Sequence, residues 1–157
     1  MKTHTTLMAL VLLLPLTAPA ADRPVQLSLV TPVQIFPDTD SITGLRLNLI
    51  YGRNRALTGL DLGLANHTTG PVKGVQFGIV GIAESDFLGW QDNAVNITSG
   101  SFTGLQLGVF NYAGSARGVQ FGLVNYAGTM RGIQLGLVNI IRQGGWLPVC
   151  VIVNGSF

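Results

Sequence analysis

The sequence predicts an all-β protein, built as a β-solenoid-like stack of repeats that are 14–15 residues long. An eight-residue motif, Gly-aliphatic-Gln-Leu/Phe-Gly-aliphatic-Val-Asn, recurs along most of the chain. Within each copy, apolar and polar residues alternate with a period of two, which is typical of a β-strand. Residues 21–157 contain no convincing 3.6-residue apolar pattern. We therefore expect strands throughout and no helix.

The copies of the motif have a regular spacing. We number each copy from position 1 (Gly) to position 8 (Asn). Copies spaced 15 residues apart begin at Gly44, Gly59, Gly74, Gly89 and Gly104, and copies at 14-residue steps follow at Gly118 and Gly132. The copy at Gly89 departs from the motif at Asp92 and Asn93. A candidate first copy begins at Pro24 and a candidate last copy at Leu147.

The alternation predicts which face of each strand is buried. Positions 2, 4 and 6 are large and apolar, so we expect them to form the core and the Gln at position 3 to face outward. The exposed Gln rank is the candidate binding face: Gln76, Gln91, Gln106, Gln120 and Gln134. The interpretation that we favour for this rank is a stacked, solvated amide ladder that stabilises the rod. Cys150, the only cysteine, takes position 4 of the last copy and is predicted to be buried.

A small up-and-down outer-membrane β-barrel, with one strand per repeat, is the alternative architecture. The chain ends in Phe157, with Val149, Val151, Val153 and Gly155 at alternate positions, and this run resembles the last strand of such barrels. However, the apolar face of each repeat is only three side chains long before an Asn interrupts it. A membrane strand needs about nine to eleven residues with apolar outward side chains. The solenoid is therefore favoured.

The chain begins with a predicted secretory signal. Lys2 and His4 precede ten apolar residues at 7–16, and Ala18 and Ala20 supply the small residues that a signal peptidase requires. An apolar run of this length is about half of what a membrane-spanning helix needs. We predict that residues 1–20 are removed by cleavage after Ala20 and that residues 21–157 form a single repeat domain.

Composition and motifs argue against an enzyme. After cleavage the chain carries eight basic and seven acidic residues, a near balance whose overall field is expected to attract neither nucleic acid nor anionic lipid. His67, the one remaining histidine, lies in a predicted turn, and Asp38 and Asp40 lie in a Pro/Asp/Ser segment typical of turns. No phosphate-binding loop or calcium-binding nonapeptide is present. We expect no enzyme activity, no cofactor and no metal site.

Three copies, GLQLGVFNYA, GVQFGLVNYA and GIQLGLVNII, resemble a family of bacterial surface-repeat proteins built from GLQIGLVN-type units. The likeness covers about residues 24–157, and the motif carries no catalytic residues. The resemblance implies an exported, envelope-associated protein with a structural or surface-binding role. Its partner would be the outer membrane or another component of the cell envelope. The barrel alternative would instead be a pore or a structural protein of the outer membrane.

Overall fold

The computed structural model describes residues 20–157, which form a β-solenoid of about eight turns. Residues 1–19, which hold most of the predicted signal, lie outside the described residues. The strands are β1 (Asp22–Val30), β2 (Val33–Gln34), β3 (Ser41–Asn54), β4 (Leu57–Thr68), β5 (Val72–Ala83), β6 (Phe87–Leu107), β7 (Phe110–Phe121), β8 (Val124–Gln143) and β9 (Val149–Ser156). The all-β prediction is confirmed.

All nine strands belong to one sheet with the order β2-β1-β3-β4-β5-β6-β7-β8-β9. Six neighbouring pairs are parallel: β1 with β3, β3 with β4, β4 with β5, β5 with β6, β6 with β7, and β7 with β8. In an up-and-down barrel consecutive strands would pair antiparallel. The parallel pairing therefore confirms the solenoid, and the barrel alternative is wrong.

The pairing register follows the repeat. Gly44 pairs with Gly59, Gly59 with Gly74, and Gly74 with Gly89, so equivalent residues stack one coil apart. The copy at Pro24 is also a coil, because its Gln26 pairs with Arg46 at position 3 of the next copy. The longer step between these two copies accommodates β2, which folds back antiparallel on β1.

Glycine at position 1 is required by the backbone. From Gly44 to Gly132 these glycines have φ between +123° and +143°, a range that L side chains rarely adopt. A Cβ atom at Gly118 would also collide with the carbonyl oxygen of Gly104 in the preceding coil. The recurrence of this glycine therefore reflects both a strained dihedral angle and close packing between coils.

The last segment does not form a coil. β9 pairs antiparallel with β8, with Gln134 opposite Asn154 and Asn139 opposite Cys150. The copy predicted to begin at Leu147 is therefore wrong, because the chain reverses through residues 144–148 and Gly144 adopts a left-handed φ of 77°. Cys150 is half-buried rather than buried, since β9 covers the end of the stack with one face in solvent.

The apolar core is a narrow column. It contains the residue two places before each position-1 glycine, namely Ile42, Leu57, Val72, Phe87, Phe102, Ala116 and Met130. The rings of Phe87 and Phe102 lie with their centroids 5.7 Å apart and their planes tilted by 30°. The buried alanines Ala83, Ala113 and Ala127, together with Ile141, complete this column. The rest of the interior is polar, and its side chains form the ladders described next.

Candidate functional site

The Gln rank lies inside the solenoid. Gln76, Gln91, Gln106, Gln120 and Gln134 are all fully buried. The prediction that these residues form an exposed binding face is therefore wrong. The large side chains at positions 2, 4 and 6 point outward instead, and several are more than half exposed, as Leu49 (67%), Phe121 (56%) and Leu137 (64%) illustrate.

The buried glutamines form a continuous hydrogen-bonded ladder. The Nε2 of each Gln donates to the Oε1 of the Gln one coil earlier, at distances of 2.7–3.0 Å from Gln134 down to Gln76. Gln76 then donates to Oδ2 of Asp61 at 2.8 Å. The amide nitrogens of Gln120 and Gln134 also donate to the backbone carbonyls of Tyr126 and Ile140. These carbonyl contacts fix which end of each amide is the donor.

The ladder ends at a buried ion pair. Arg46 and Asp61 occupy position 3 in the two coils that lack Gln there, and both side chains are inaccessible to solvent. The guanidinium contacts the carboxylate in a bidentate manner, with Nη2 to Oδ2 at 2.6 Å and Nε to Oδ1 at 2.8 Å. Asp61 thus accepts hydrogen bonds from the coils on both sides, which satisfies a charge that would otherwise be costly to bury.

A second ladder runs through the asparagines at position 8. Asn96 donates to Asn111, Asn111 to Asn125, and Asn125 to Asn139, each from Nδ2 to Oδ1 at 2.8 Å. Each of these donors points to the next coil, whereas the glutamine donors point to the preceding coil. The two ladders therefore run in opposite directions along the axis.

Glycine at position 5 makes room for the asparagine ladder. A Cβ atom at Gly108 would lie 2.6 Å from Nδ2 of Asn96, so only glycine fits beside the stacked amides. Two coils carry Asn at position 5, and each of these side chains lies against a glycine. In one coil Asn48 at position 5 faces Gly52, and Asn93 at position 5 of another lies against Gly81 of the coil before it. The departure from the motif at Asn93 therefore keeps an amide in the ladder, where it donates to Asn96 at 2.7 Å.

Period-two alternation identifies the two faces of a strand but not which face is inside. Two signals in the sequence distinguish them. The inner positions 3 and 8 keep the same amide in most copies, whereas position 4 varies among Leu, Phe and Asp92. Gly at position 5 shares its face with Gln, and the close approach that glycine permits is a feature of a packed interior. A charged residue at position 4 was the clearest sign that this position faces solvent.

The outward side chains at positions 2, 4 and 6 of the seven copies from Gly44 to Gly132 form the candidate site, which we call the outer face. Apolar residues occupy 20 of its 21 positions, and the exception is Asp92. Two open grooves run between the side chains of positions 4 and 6. The first has a volume of about 600 Å³ and is lined by Leu27, Leu29, Leu47, Leu49, Leu62 and Leu64. The second has a volume of about 660 Å³ and is lined by Val109, Phe121, Leu123, Leu135, Leu137 and Ile152.

Cationic residues lie immediately before position 1 in three coils, and we call Lys73, Arg117 and Arg131 the cationic edge. All three are exposed. Arg117 and Arg131 pair in register on adjacent coils, and none of the ion pairs found within residues 20–157 includes either of them. They line a small depression with Ser115 and Thr129, whose hydroxyl oxygens lie 3.0 Å apart. This arrangement offers adjacent donors to an anion.

His67 belongs to strand β4 rather than to the predicted turn. Its Nδ1 lies 2.7 Å from the hydroxyl of Tyr51, and its Nε2 lies 2.7 Å from Oε1 of Glu84. This cluster is not apparent from the sequence, because its members come from three successive coils. Both ring nitrogens are engaged in hydrogen bonds, so His67 can bind a metal ion only by giving up one of these partners.

The other acidic residues singled out by the sequence have structural partners. Asp38 and Asp40 lie in the predicted turn region, where Asp40 pairs with Arg23 at 2.9 Å and Asp38 with Arg53 at 3.6 Å. Within residues 20–157, no group of three His, Cys, Asp or Glu side chains could hold a metal ion. The same part of the chain contains no helix of the length and apolarity needed to cross a membrane.

Comparisons with protein-family models, curated proteins and solved structures gave no match to this chain.

Proposed function

We propose that this chain is an exported, envelope-associated repeat protein of the GLQIGLVN type, and that its role is to bind an apolar partner rather than to catalyse a reaction. The observation that carries the proposal is the outer face, on which 20 of 21 positions are apolar. Large contiguous apolar patches on the surface of a protein mark interaction sites, because their exposure to water is unfavourable.

The interior supports a scaffold role. The Gln and Asn ladders occupy the space between the two sides of each coil, and the amides they contain are hydrogen-bonded to one another. The apolar residues are thereby displaced to the outside, where they add little to the core. A rod of this kind holds a flat apolar surface in a fixed shape, and a preorganised surface loses little entropy on binding.

Chemistry at the surface offers little support for an enzyme. The buried Asp61 is neutralised by Arg46, and both side chains are closed to solvent. The two grooves are lined almost entirely by apolar side chains, and neither contains a pair of groups that could act as nucleophile and base. These features favour binding over catalysis.

Export is tested by expressing the full chain with a C-terminal epitope tag in a Gram-negative bacterium and fractionating the cells. We expect the protein in the envelope fraction, with Ala21 as its first residue by N-terminal sequencing. The matched control is Ala20→Leu, which removes the small residue at the cleavage site and should leave the longer precursor. Recovery of the uncleaved protein in the cytosol would contradict the proposal.

A further inference from the structure

We infer that the outer face docks on the surface of an anionic phospholipid bilayer. The inference rests on the proposed function, since it names the partner of the same apolar surface. The apolar side chains enter the outermost acyl region, and the cationic edge contacts lipid phosphates.

The second groove provides an apolar surface for acyl chains. It runs along the rod between Phe121 and Leu135 on one side and Val109, Leu123 and Leu137 on the other. The floor is the backbone of the position-5 glycines, and the lining contains no polar side chain. Such a surface gains nothing specific from a polar ligand, whereas hydrocarbon chains remove it from water without leaving a donor or acceptor unsatisfied.

Arg117 and Arg131 provide positive charge for lipid phosphates. The two side chains carry like charges on adjacent coils, about 4.8 Å apart along the stack. Without an anion between them they repel each other, and none of the acidic side chains described is paired with them. A lipid phosphate supplies the missing negative charge, and Ser115, which accepts a hydrogen bond from Thr129, keeps its own hydroxyl hydrogen to donate beside it.

The spacing of the two halves suits a bilayer surface. Arg117 precedes Phe121 by four residues, and Arg131 precedes Leu135 by the same number. In an extended strand that interval spans about 13 Å along the outer face, so the arginines lie beside the groove. An amphipathic element at a membrane surface buries its apolar side about 5–10 Å below the headgroups. The long arginine side chains can therefore reach the phosphates while the neighbouring groove contacts the acyl chains.

Asp92 distinguishes lipid from a second copy of the chain as the occupant. It is the single charged residue on the outer face, and a face-to-face dimer would enclose it between two apolar surfaces. An enclosed carboxylate without a partner is costly. At a bilayer surface, which is hydrated in its headgroup region, Asp92 keeps access to water and weakens the contact only locally.

The test measures co-sedimentation of the processed chain, which contains all nine strands, with vesicles of two compositions. One contains phosphatidylglycerol and phosphatidylcholine in equal amounts, and the other contains phosphatidylcholine alone. We expect binding to the anionic vesicles that weakens as salt is raised. The double variant Arg117→Gln/Arg131→Gln should bind about 30-fold more weakly, which corresponds to about 1 kcal/mol for each arginine. Arg142→Gln, which removes an exposed cation outside the cationic edge, should bind as the unmodified chain does.

Two further variants test the contribution of the apolar outer face to vesicle binding. Phe121→Asp places at position 4 the residue that Asp92 already provides in another coil, so the fold should survive, as circular dichroism would verify. It should weaken binding at least about tenfold. Asp92→Leu should strengthen binding, because it joins the two apolar halves of the face.

Three outcomes would overturn the inference. They are equal binding to both kinds of vesicle, full binding by folded Phe121→Asp, and failure to bind vesicles together with a concentration-dependent dimer that Phe121→Asp abolishes. The vesicle test requires no export. A chain that binds vesicles but remains in the cytosol therefore contradicts only the proposed function.

Discussion

Asp61 is the residue on which the glutamine ladder ends, and its contacts show how a charge can be held inside this fold. It accepts from Gln76 in one neighbouring coil and from Arg46 in the other. Both members of the ion pair stand where other coils have Gln. Glutamine, which occupies position 3 in the other coils, is therefore the natural replacement for both members of the ion pair.

Replacing the ion pair by amides tests whether Gln can take the place of Arg46 and Asp61. Asp61→Gln or Arg46→Gln alone leaves a buried charge without its partner and should lower the free energy of unfolding by about 3–5 kcal/mol. The double variant Arg46→Gln/Asp61→Gln restores Gln in both coils and should recover most of that loss, as measured by urea denaturation. A double variant less stable than either single one would show that these coils cannot hold the glutamine ladder.

Asp40 gives the stability a defined dependence on pH. The pKa of its carboxyl is lowered, first by the hydrogen bond from the Arg23 guanidinium and then by that from the backbone N–H of Ala21. A lowered pKa in the folded state stabilises the protein above the unfolded pKa of about 3.9. This stabilisation is lost as the pH falls through the lower folded value.

We therefore expect Asp40→Asn to reduce the melting temperature at neutral pH and to flatten its decline in acid. Thermal unfolding followed by circular dichroism between pH 7 and pH 2 measures both effects. Asp38→Asn is the matched control, because its pairing with Arg53 is exposed and longer, at 3.6 Å. Such a pair contributes little. An equal flattening in both variants would contradict this role for Asp40.

At the scale of the repeat, position 1 combines two requirements that substitution can separate. Gly118 has a φ of 123° and no room for a Cβ atom, whereas Gly144 has a φ of 77° and no heavy atom closer than 3.9 Å to that position. Gly144→Ala should cost about 1–2 kcal/mol, from backbone strain alone. Gly118→Ala should cost clearly more in chemical denaturation, since the coils must also move apart. Equal costs would mean that the close approach of coils is unimportant.

The repeats also show what the sequence could and could not predict. The alternation within each copy predicted the strands. The regular spacing of the copies, such as those at Gly118 and Gly132, predicted the stacking of equivalent residues. Alternation alone is symmetrical between the two faces. The inward direction of Gln106 follows only from other signals, namely the constant amide at position 3 and the charge of Asp92 at position 4. The reversal at residues 144–148 was hidden because Val153 and Asn154 imitate positions 7 and 8 while running the opposite way. The outer face is visible in the sequence as a pattern, but hydrophobicity alone assigns its residues to the core.

For the molecule as a whole, the stack of coils should tolerate the loss of one unit. Deleting residues 118–131 places Gln134 beside Gln106 and Asn139 beside Asn111, so both ladders close again. Each coil contacts mainly its neighbours, and stability is then roughly a sum over coils. We expect a folded, somewhat less stable protein whose rod is shorter by about 4.8 Å in small-angle X-ray scattering.

Deletion of residues 118–124 alone is the control for this experiment. It removes half a period, so Asn125 directly follows Arg117 and takes the place of Gly118. An Asn would then occupy position 1, where the backbone requires a glycine. This variant should lose its β-sheet signal. If it folds as well as the whole-unit deletion, the coil is not the cooperative unit.

The opposite directions of the two amide ladders limit the electric field of the rod. Each side-chain amide is a dipole, and a column of amides aligned head to tail would accumulate a potential difference between its ends, as the peptide groups of a helix do. Here the glutamine column and the asparagine column oppose each other, so their axial moments largely cancel in every coil that contains both. Tandem duplication of a unit that contains both amides can therefore lengthen the rod while adding little to its axial dipole.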